Sequence, residues 1–299
     1  MKPNIKNFLK KPEGVILLAV LGGAVIFASQ NILPKKNTAP DEPLAYGEII
    51  KAEDRAPLPV PKEAVKKGRA VKIPILMYHH VGNPPAKANA VRLGMTVSAA
   101  DFEQQTKWLR EQNFNSISLE DIYLFSQGKF TLPKKPVVFT FDDGYEDVFL
   151  NAAPILTKYG FSGSFGIITQ FAGATQSDNV YASWQQIAQA YLSGQEIVSH
   201  TQNHFDGKNP KFNSSYIFQN LSGSIADIQK NLGLTTNILI YPYGHYSSDY
   251  IAQAKKAGFA MGVTVHEGDL VNLDNLMEIP RIRVSGHEDL ERFKRLMTE

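Results

Sequence analysis

An α/β barrel is the fold that this sequence predicts, and three observations predict it. Beyond residue 72, short β-branched runs alternate with amphipathic stretches, which is the pattern of repeated βα units. Seven or eight such units fit between residues 73 and 299. Acidic and histidine clusters stand directly after apolar runs, and a barrel collects its chemistry on the loops at the C-terminal ends of its strands.

The expected strands are Ile73–Tyr78, a weaker one near Ser116–Leu119, Val137–Phe141, Gly163–Ile168, Glu196–Ser199, Ile238–Tyr241, Met261–Val265 and Ile279–Val284. Helices are expected near Ala99–Gln112, Val148–Tyr159, Trp184–Leu192, Tyr216–Asn231, Ser248–Ala257 and Leu290–Met297. The first helix starts with Ser98 and Asp101 at the spacing of a capping box, and its Phe102 and Leu109, seven apart, share one face.

Ahead of the barrel, Lys2, Lys6, Lys10 and Lys11 precede an uncharged apolar run from Gly14 to Ala28 that continues weakly to Leu33. This is an export signal or a membrane anchor. The strictly apolar part falls short of the ~20 residues that cross a bilayer as a helix, and Ser29 to Leu33 complete that length. The cleavage candidate ends at Ala28, where Ile26 fills a position that wants a small side chain, so an uncleaved anchor over residues 1–33 is the expectation. The basic end then stays cytoplasmic and everything after Pro34 lies outside, anchored to the membrane. Residues 34–72 hold Pro34, Pro40, Pro43, Pro57, Pro59 and Pro61 among mixed charges and read as an extended spacer, leaving 73–299 as the folded domain.

Composition narrows the function. With 43% hydrophobic and 20% charged residues, the chain of 299 residues has the makings of a globular core. Its 31 Lys+Arg against 29 Asp+Glu leave a net charge of +2 with no dense basic tract, which argues against nucleic acid as a partner and towards a neutral or sugar-like one. A monomer is expected. The absence of cysteine excludes disulfides, thiol nucleophiles and thiolate metal sites, so a metal would have to use His and carboxylates.

The acidic cluster is Thr140-Phe141-Asp142-Asp143-Gly144-Tyr145, after the apolar Val137-Val138-Phe139. Two adjacent carboxylates in a partly buried pocket repel unless a cation or hydrogen bonds offset the repulsion, and a bound metal does so economically. An Asp-Asp-Gly turn capping the next helix is the plainer alternative. His200-Thr201-Gln202-Asn203-His204 follows Glu196-Ile197-Val198-Ser199 at the same level of the barrel. Its two imidazoles converge on one ion if the segment makes a helical turn. With Asp143 they supply two nitrogens and one oxygen and leave positions open for water and substrate, as catalytic zinc sites do. Asp142 is then free to act as a base.

Taken in order, these segments resemble the polysaccharide deacetylase superfamily, carbohydrate esterase family 4 or the NodB homology domain. The resemblance runs from about Ile73 to Met297. It includes Pro74-Ile75-Leu76-Met77-Tyr78-His79-His80-Val81, the Asp-Asp segment, Ser183-Trp184-Gln185-Gln186 leading into Gly194-Gln195-Glu196, the His-Thr-x-x-His segment, and Tyr241-Pro242-Tyr243-Gly244. It implies a distorted (β/α)7 barrel that removes acetyl groups from N-acetylated sugars with a divalent metal, Zn2+ being the expected ion. It implies Asp142 as general base, Asp143, His200 and His204 as metal ligands, and Tyr243 as donor of a backbone N–H to the oxyanion.

Two departures stand out. Many members carry an Arg ahead of the Pro-Tyr-Gly segment to orient the base, where this chain has Leu239 and Ile240; the usual acid, a His in a late Leu-x-His strand, is replaced by Ile279-Pro280-Arg281-Ile282-Arg283-Val284. Arg281 or Arg283 can reach the base from the final strand. His287, His266, His79 and His80 are candidate acids, and His287 is preferred because it lies just past the last strand after the small Ser285-Gly286. A helix-start role is its plainer reading, and Trp184 reads as core. The opening and the Pro-Arg-Ile strand resemble the branch of poly-N-acetylglucosamine deacetylases. The substrate expected is N-acetylated polysaccharide of the envelope or an extracellular matrix, with a non-catalytic carbohydrate-binding descendant or an O-acetyl esterase as alternatives.

Overall fold

Strands buried on both faces need near-continuous apolar runs, which Val, Ile and Phe supply here. The computed structural model, which describes residues 70–298, arranges these runs as a closed barrel of seven parallel strands. They are β1 (Ile75–Tyr78), β2 (Pro136–Phe141), β3 (Ser164–Ile167), β4 (Glu196–Ser199), β5 (Ile238–Ile240), β6 (Met261–Glu267) and β7 (Ile279–Arg283). Each strand pairs with the next in sequence, and β7 closes on β1 through Ile282 opposite Leu76 and Arg283 opposite Met77. A register shift between Val263 and Glu267 distorts the pairing of β6 with β7. Asn115–Ser116 adds a short parallel strand to β2.

Side chains alternate between the two faces of each strand. Val138 of β2 joins Ile75, Val198, Ile238, Val263 and Ile279 in one cluster, to which each barrel strand except β3 contributes. Its neighbours Val137, Phe139 and Phe141 pack the other way, against the helices. The interior parity continues through Thr140 to Asp142 on β2 and from Ile279 to Arg281 on β7, so polar groups sit at the C-terminal mouth.

Around the barrel lie α1 (Ala90–Met95), α2 (Ala99–Glu111), α3 (Leu119–Ser126), α4 (Ala153–Lys158), α5 (Trp184–Leu192), α6 (Ser214–Leu232), α7 (Ser248–Ala257) and α8 (Leu290–Thr298). Ser98 caps α2 by accepting the Asp101 N–H at 3.0 Å, but its own hydroxyl donates to the Asp101 carboxylate, so the expected reciprocal box is only half made. Complete boxes form at Ser118 with Asp121 and at Ser183 with Gln186. Residues 148–159 form a π-turn at Val148–Ala152 followed by α4, rather than one α-helix, since Pro154 has no N–H for the ladder. Leu119, expected at the end of a weak strand, instead opens α3. Ala70–Lys72, expected in the spacer, pair antiparallel with Leu270–Asn272 because Val71 packs on the core. The expected anchor and residues 34–69 of the spacer lie outside the described residues. Among the described residues, no helix is long and apolar enough to cross a membrane.

Candidate active site

Strand register brings the first two site residues together. Tyr78 of β1 lies opposite Phe141 of β2, so His79 and Asp142 leave the sheet side by side, with His79 Nε2 3.9 Å from Asp142 Oδ2. From β7, wholly buried Arg281 donates from Nη1 to Asp142 Oδ1 at 2.6 Å and from Nη2 to Asp142 Oδ2 at 2.8 Å. Its Nη1 also donates to Thr140 Oγ1 at 2.9 Å, and its Nε donates to the Thr264 carbonyl at 2.7 Å. Burial raises the Asp142 carboxyl, but the charge and hydrogen bonds of Arg281 outweigh it and hold the group below its usual range. Burial lowers the pKa of His79, and the opposing pull of Asp142 and Asp143 does not restore it.

Next to this pair, three donor atoms converge. Asp143 Oδ1 is 3.1 Å from His200 Nε2 and 3.1 Å from His204 Nε2, and the three donor atoms lie within 4.8 Å of one another. His200 is seated by its N–H on the Ile167 carbonyl at 2.9 Å, and its Nδ1 is 2.8 Å from the Ile240 carbonyl. A carbonyl only accepts, so Nδ1 carries a proton, which leaves Nε2 as the nitrogen that faces Asp143 and would turn to a metal ion. Gly166 makes room: a Cβ there would lie 3.4 Å from His200 Cβ and 3.0 Å from Ile240 Cδ1. Burial raises the Asp143 carboxyl, yet the hydrogen bonds from His200 and His204 hold it well below its usual range. A divalent ion would replace the protons shared among these atoms, and two imidazoles with one carboxylate form a donor set that suits it.

The loop geometry differs from the helical turn expected for residues 200–204. Thr201 (φ 67°) and His204 (φ 59°) are left-handed, as are Asp143 (φ 72°) and Tyr243 (φ 59°). Four of the six non-glycine residues with positive φ among the described residues thus carry or adjoin this cluster. Each such conformation costs on the order of 1–3 kcal/mol and persists only where surroundings enforce it.

The remaining sequence candidates separate. The Tyr243 ring, 56% exposed, lies 4.5 Å from the His204 ring. His287 does not join the cluster: it is exposed, its N–H donates to Ser285 Oγ at 3.2 Å, and its ring lies against Gly94 of α1. Its loop turns towards α1, and the histidine that lies beside Asp142 is His79. His80 is buried beside Asp147, with Nδ1 2.8 Å from Oδ2, and stacks on Tyr145 at 3.8 Å. His245 pairs with Asp206 at 2.8 Å, and the His266 ring lies 6.0 Å from the Tyr246 ring. Trp184 packs half-buried on the outer core. Of the two arginines expected to reach the base, Arg281 does so, and Thr264, which sequence reasoning missed, anchors that arginine.

A buried, arginine-held carboxylate beside an Asp-His-His set at a barrel mouth defines a hydrolase site able to hold a metal ion. The polysaccharide deacetylase family profile matches residues 129–262. A poly-β-1,6-N-acetyl-D-glucosamine N-deacetylase of Staphylococcus aureus is 32% identical over 199 residues, covering 64% of this chain and 68% of that protein. YxkH of Bacillus subtilis (strain 168) is 29% identical over 260 residues, covering 82% of this chain and 85% of that protein. The Streptococcus pyogenes deacetylase PplD, solved in complex with acetate, matches with a TM-score of 0.66 at 27% identity, covering 77% of this chain and 99% of that one. The chain belongs to the polysaccharide deacetylase family, on the branch resembling the poly-N-acetylglucosamine deacetylases, and by class it is a polysaccharide N-deacetylase.

Proposed function

We propose that this chain is a divalent-metal-dependent N-deacetylase of an N-acetylglucosamine-containing polysaccharide of the envelope or extracellular matrix, tethered outside the membrane by residues 1–33. One observation carries the chemistry: Asp142, gripped by Arg281, lies beside the convergent Asp143, His200 and His204. The name of the Staphylococcus aureus relative supports the substrate class. Asp143, His200 and His204 would hold the ion, and Zn2+ suits their nitrogen and oxygen donors. When bound, such an ion supplies Lewis acidity towards the acetamide carbonyl and towards water.

Asp142, held ionised, accepts a proton from the attacking water as the water oxygen bonds to the carbonyl carbon. The Tyr243 N–H is assigned to the oxyanion that this produces. The C–N bond then breaks, and the departing nitrogen takes the proton that Asp142 accepted, relayed through His79, whose ring lies 3.9 Å from Asp142. The products are acetate and a free amine. The missing arginine ahead of Pro242 favours a non-catalytic descendant when the sequence is read alone, but Arg281 supplies the same contact from another strand.

Acetate release from N-acetylglucosamine oligomers, measured before and after Zn2+ loading and again after chelation, tests the proposal. Metal-dependent release is expected. No release from the metal-loaded protein would overturn it, and faster release from acetylated xylan would transfer the assignment to an O-acetyl esterase.

A further inference from the structure

Two of the proposed ligands sit on a loop whose conformation needs support from outside itself. Thr201 is β-branched, wholly buried and left-handed, and His204 is left-handed as well. Within the loop, the His204 N–H donates to Thr201 Oγ1 at 3.0 Å and the Thr201 N–H donates to Ser199 Oγ at 3.1 Å. The Thr201 and Gln202 carbonyls accept the Thr169 and Gln170 N–H groups at 3.2 and 2.9 Å, and the side-chain ties run to α6.

Tyr216, Asn220, Ser224 and Asp227 recur along α6 at the three- and four-residue spacing that puts them on one face. A helix face turned to a core is ordinarily apolar, whereas this stripe is polar throughout. Ser224 Oγ donates to the Leu221 carbonyl at 2.7 Å, so Ser199, 2.7 Å away, must donate to Ser224, which leaves its oxygen to accept from Thr201. Asn220 Oδ1 accepts the Gln202 N–H at 2.9 Å, while its Nδ2 donates to Asn203 Oδ1 at 2.8 Å. Asn203 Nδ2 in turn donates to the Tyr216 hydroxyl at 2.9 Å. Asp227 Oδ2 accepts from Gln202 Nε2 at 3.0 Å and from Thr169 Oγ1 at 2.6 Å. Gly223 lies on the same face, and a Cβ there would come 2.7 Å from Gln202 Oε1, so Gln202 lies along the helix only because position 223 has no side chain.

We propose that this stripe is the positioning element of the metal set: Asn220 and Asp227, held rigid on a helix, keep residues 200–204 in the left-handed path from which both imidazole Nε2 atoms reach Asp143. The inference rests on reading Asp143, His200 and His204 as ligands. It adds positioning residues that touch neither metal nor substrate.

The test is calorimetric titration of Zn2+ into metal-free full-length protein, with the melting temperature of the metal-free form recorded for each variant. Asn220→Ala and Asp227→Ala should raise the Kd by ~10- to 100-fold, the usual consequence of losing a group that orients a ligand. Asp227→Asn, whose carbonyl oxygen can still accept both hydrogen bonds, should rescue it. At saturating Zn2+, the pH profile should keep its shape, because Asp142 and Arg281 are untouched. Parent-like Kd values in both alanine variants, with only the melting temperature lowered, would reduce the stripe to ordinary scaffolding. Equal losses in Asp227→Asn and Asp227→Ala would also overturn the hydrogen-bond account. If the parent takes up no Zn2+, the metal reading itself fails and the positioning role falls with it. Should Asn220→Ala not fold, Gly223→Ala displaces Gln202 without deleting a bonded group; its Kd should rise likewise, and a parent-like value would overturn the proposal.

Discussion

Arg281 meets both oxygens of Asp142 across 139 residues of sequence, with the guanidinium wholly inside the barrel. The contact is a fork that Lys cannot reproduce. Removing one partner of a buried ion pair typically costs about 3–5 kcal/mol, so Arg281→Met should lower unfolding stability by that order. It should also raise the Asp142 pKa, since burial already pushes that carboxyl up and the opposing charge would be gone. The acidic limb of kcat/KM therefore moves to higher pH in Arg281→Met and less so in Arg281→Lys. An unmoved limb in the methionine variant would detach Arg281 from the base.

Asp142→Asn keeps the shape of the side chain but cannot take up a proton. Turnover should fall by the ~10²–10⁴-fold that a general base contributes. Bound metal, measured by elemental analysis, should stay at the parental level, because Asp142 is not among the converging donors. Loss of metal along with activity would make Asp142 a ligand instead.

The alternation of apolar runs and amphipathic stretches is enough to read all seven barrel strands, because strands buried on both faces leave little freedom of composition. Smaller elements escape for physical reasons. None of the residues of α1 is fully buried, so it carries no apolar period to detect. The start of α3 follows apolar Ile117, although the Ser118 and Asp121 capping box is visible in the sequence. Asp143, His200 and His204 are legible because their types and spacing match metal chemistry, but the left-handed path of residues 200–204 is not, since Thr201 is a poor residue for it. His79 and Arg281 depend on which strands become neighbours when the ring closes. Only the pairing of β1 with β2 and β7 reveals that.

For the metal set, Ala at Asp143, His200 or His204 removes one of three donors. Each substitution should sharply lower Zn2+ retained after dialysis, and metal-dependent acetate release with it. Stoichiometric metal in all three single variants would remove these residues from the ion.

The choice of proton donor separates two histidines. His79 adjoins Asp142, whereas His287 is exposed beside Gly94. His79→Ala should lower kcat by ~10²–10⁴-fold with metal retained, and His287→Ala should leave kcat unchanged. The reverse ordering would return the donor role to His287.

Glu196 opens β4 at the end of the barrel away from the site and serves the fold. Its Oε2 accepts the Leu119 N–H at 2.9 Å and the Ser164 hydroxyl, and its Oε1 accepts the Glu120 N–H at 2.9 Å, so it caps the first turn of α3. Burial pushes its carboxyl up to about 7, despite the lowering by the Ser164 hydroxyl and the Glu120 and Leu119 N–H groups. A carboxyl whose pKa is raised by folding contributes stability that is fully present below the unfolded value, near 4.5, and is lost as pH climbs towards 7. The loss is on the order of 3 kcal/mol, at about 1.4 kcal/mol per pKa unit. Glu196→Gln cannot titrate, and the other ionisable groups are common to both proteins. Subtracting their urea unfolding free energies at each pH therefore isolates this residue. The parent should lose stability relative to the variant between pH 4.5 and 7, after which the difference should level off. If the difference is instead already level above pH 4.5 and the parent gains on the variant only below it, the three donors stabilise the carboxylate more than burial opposes it, and Glu196 is ionised across that interval.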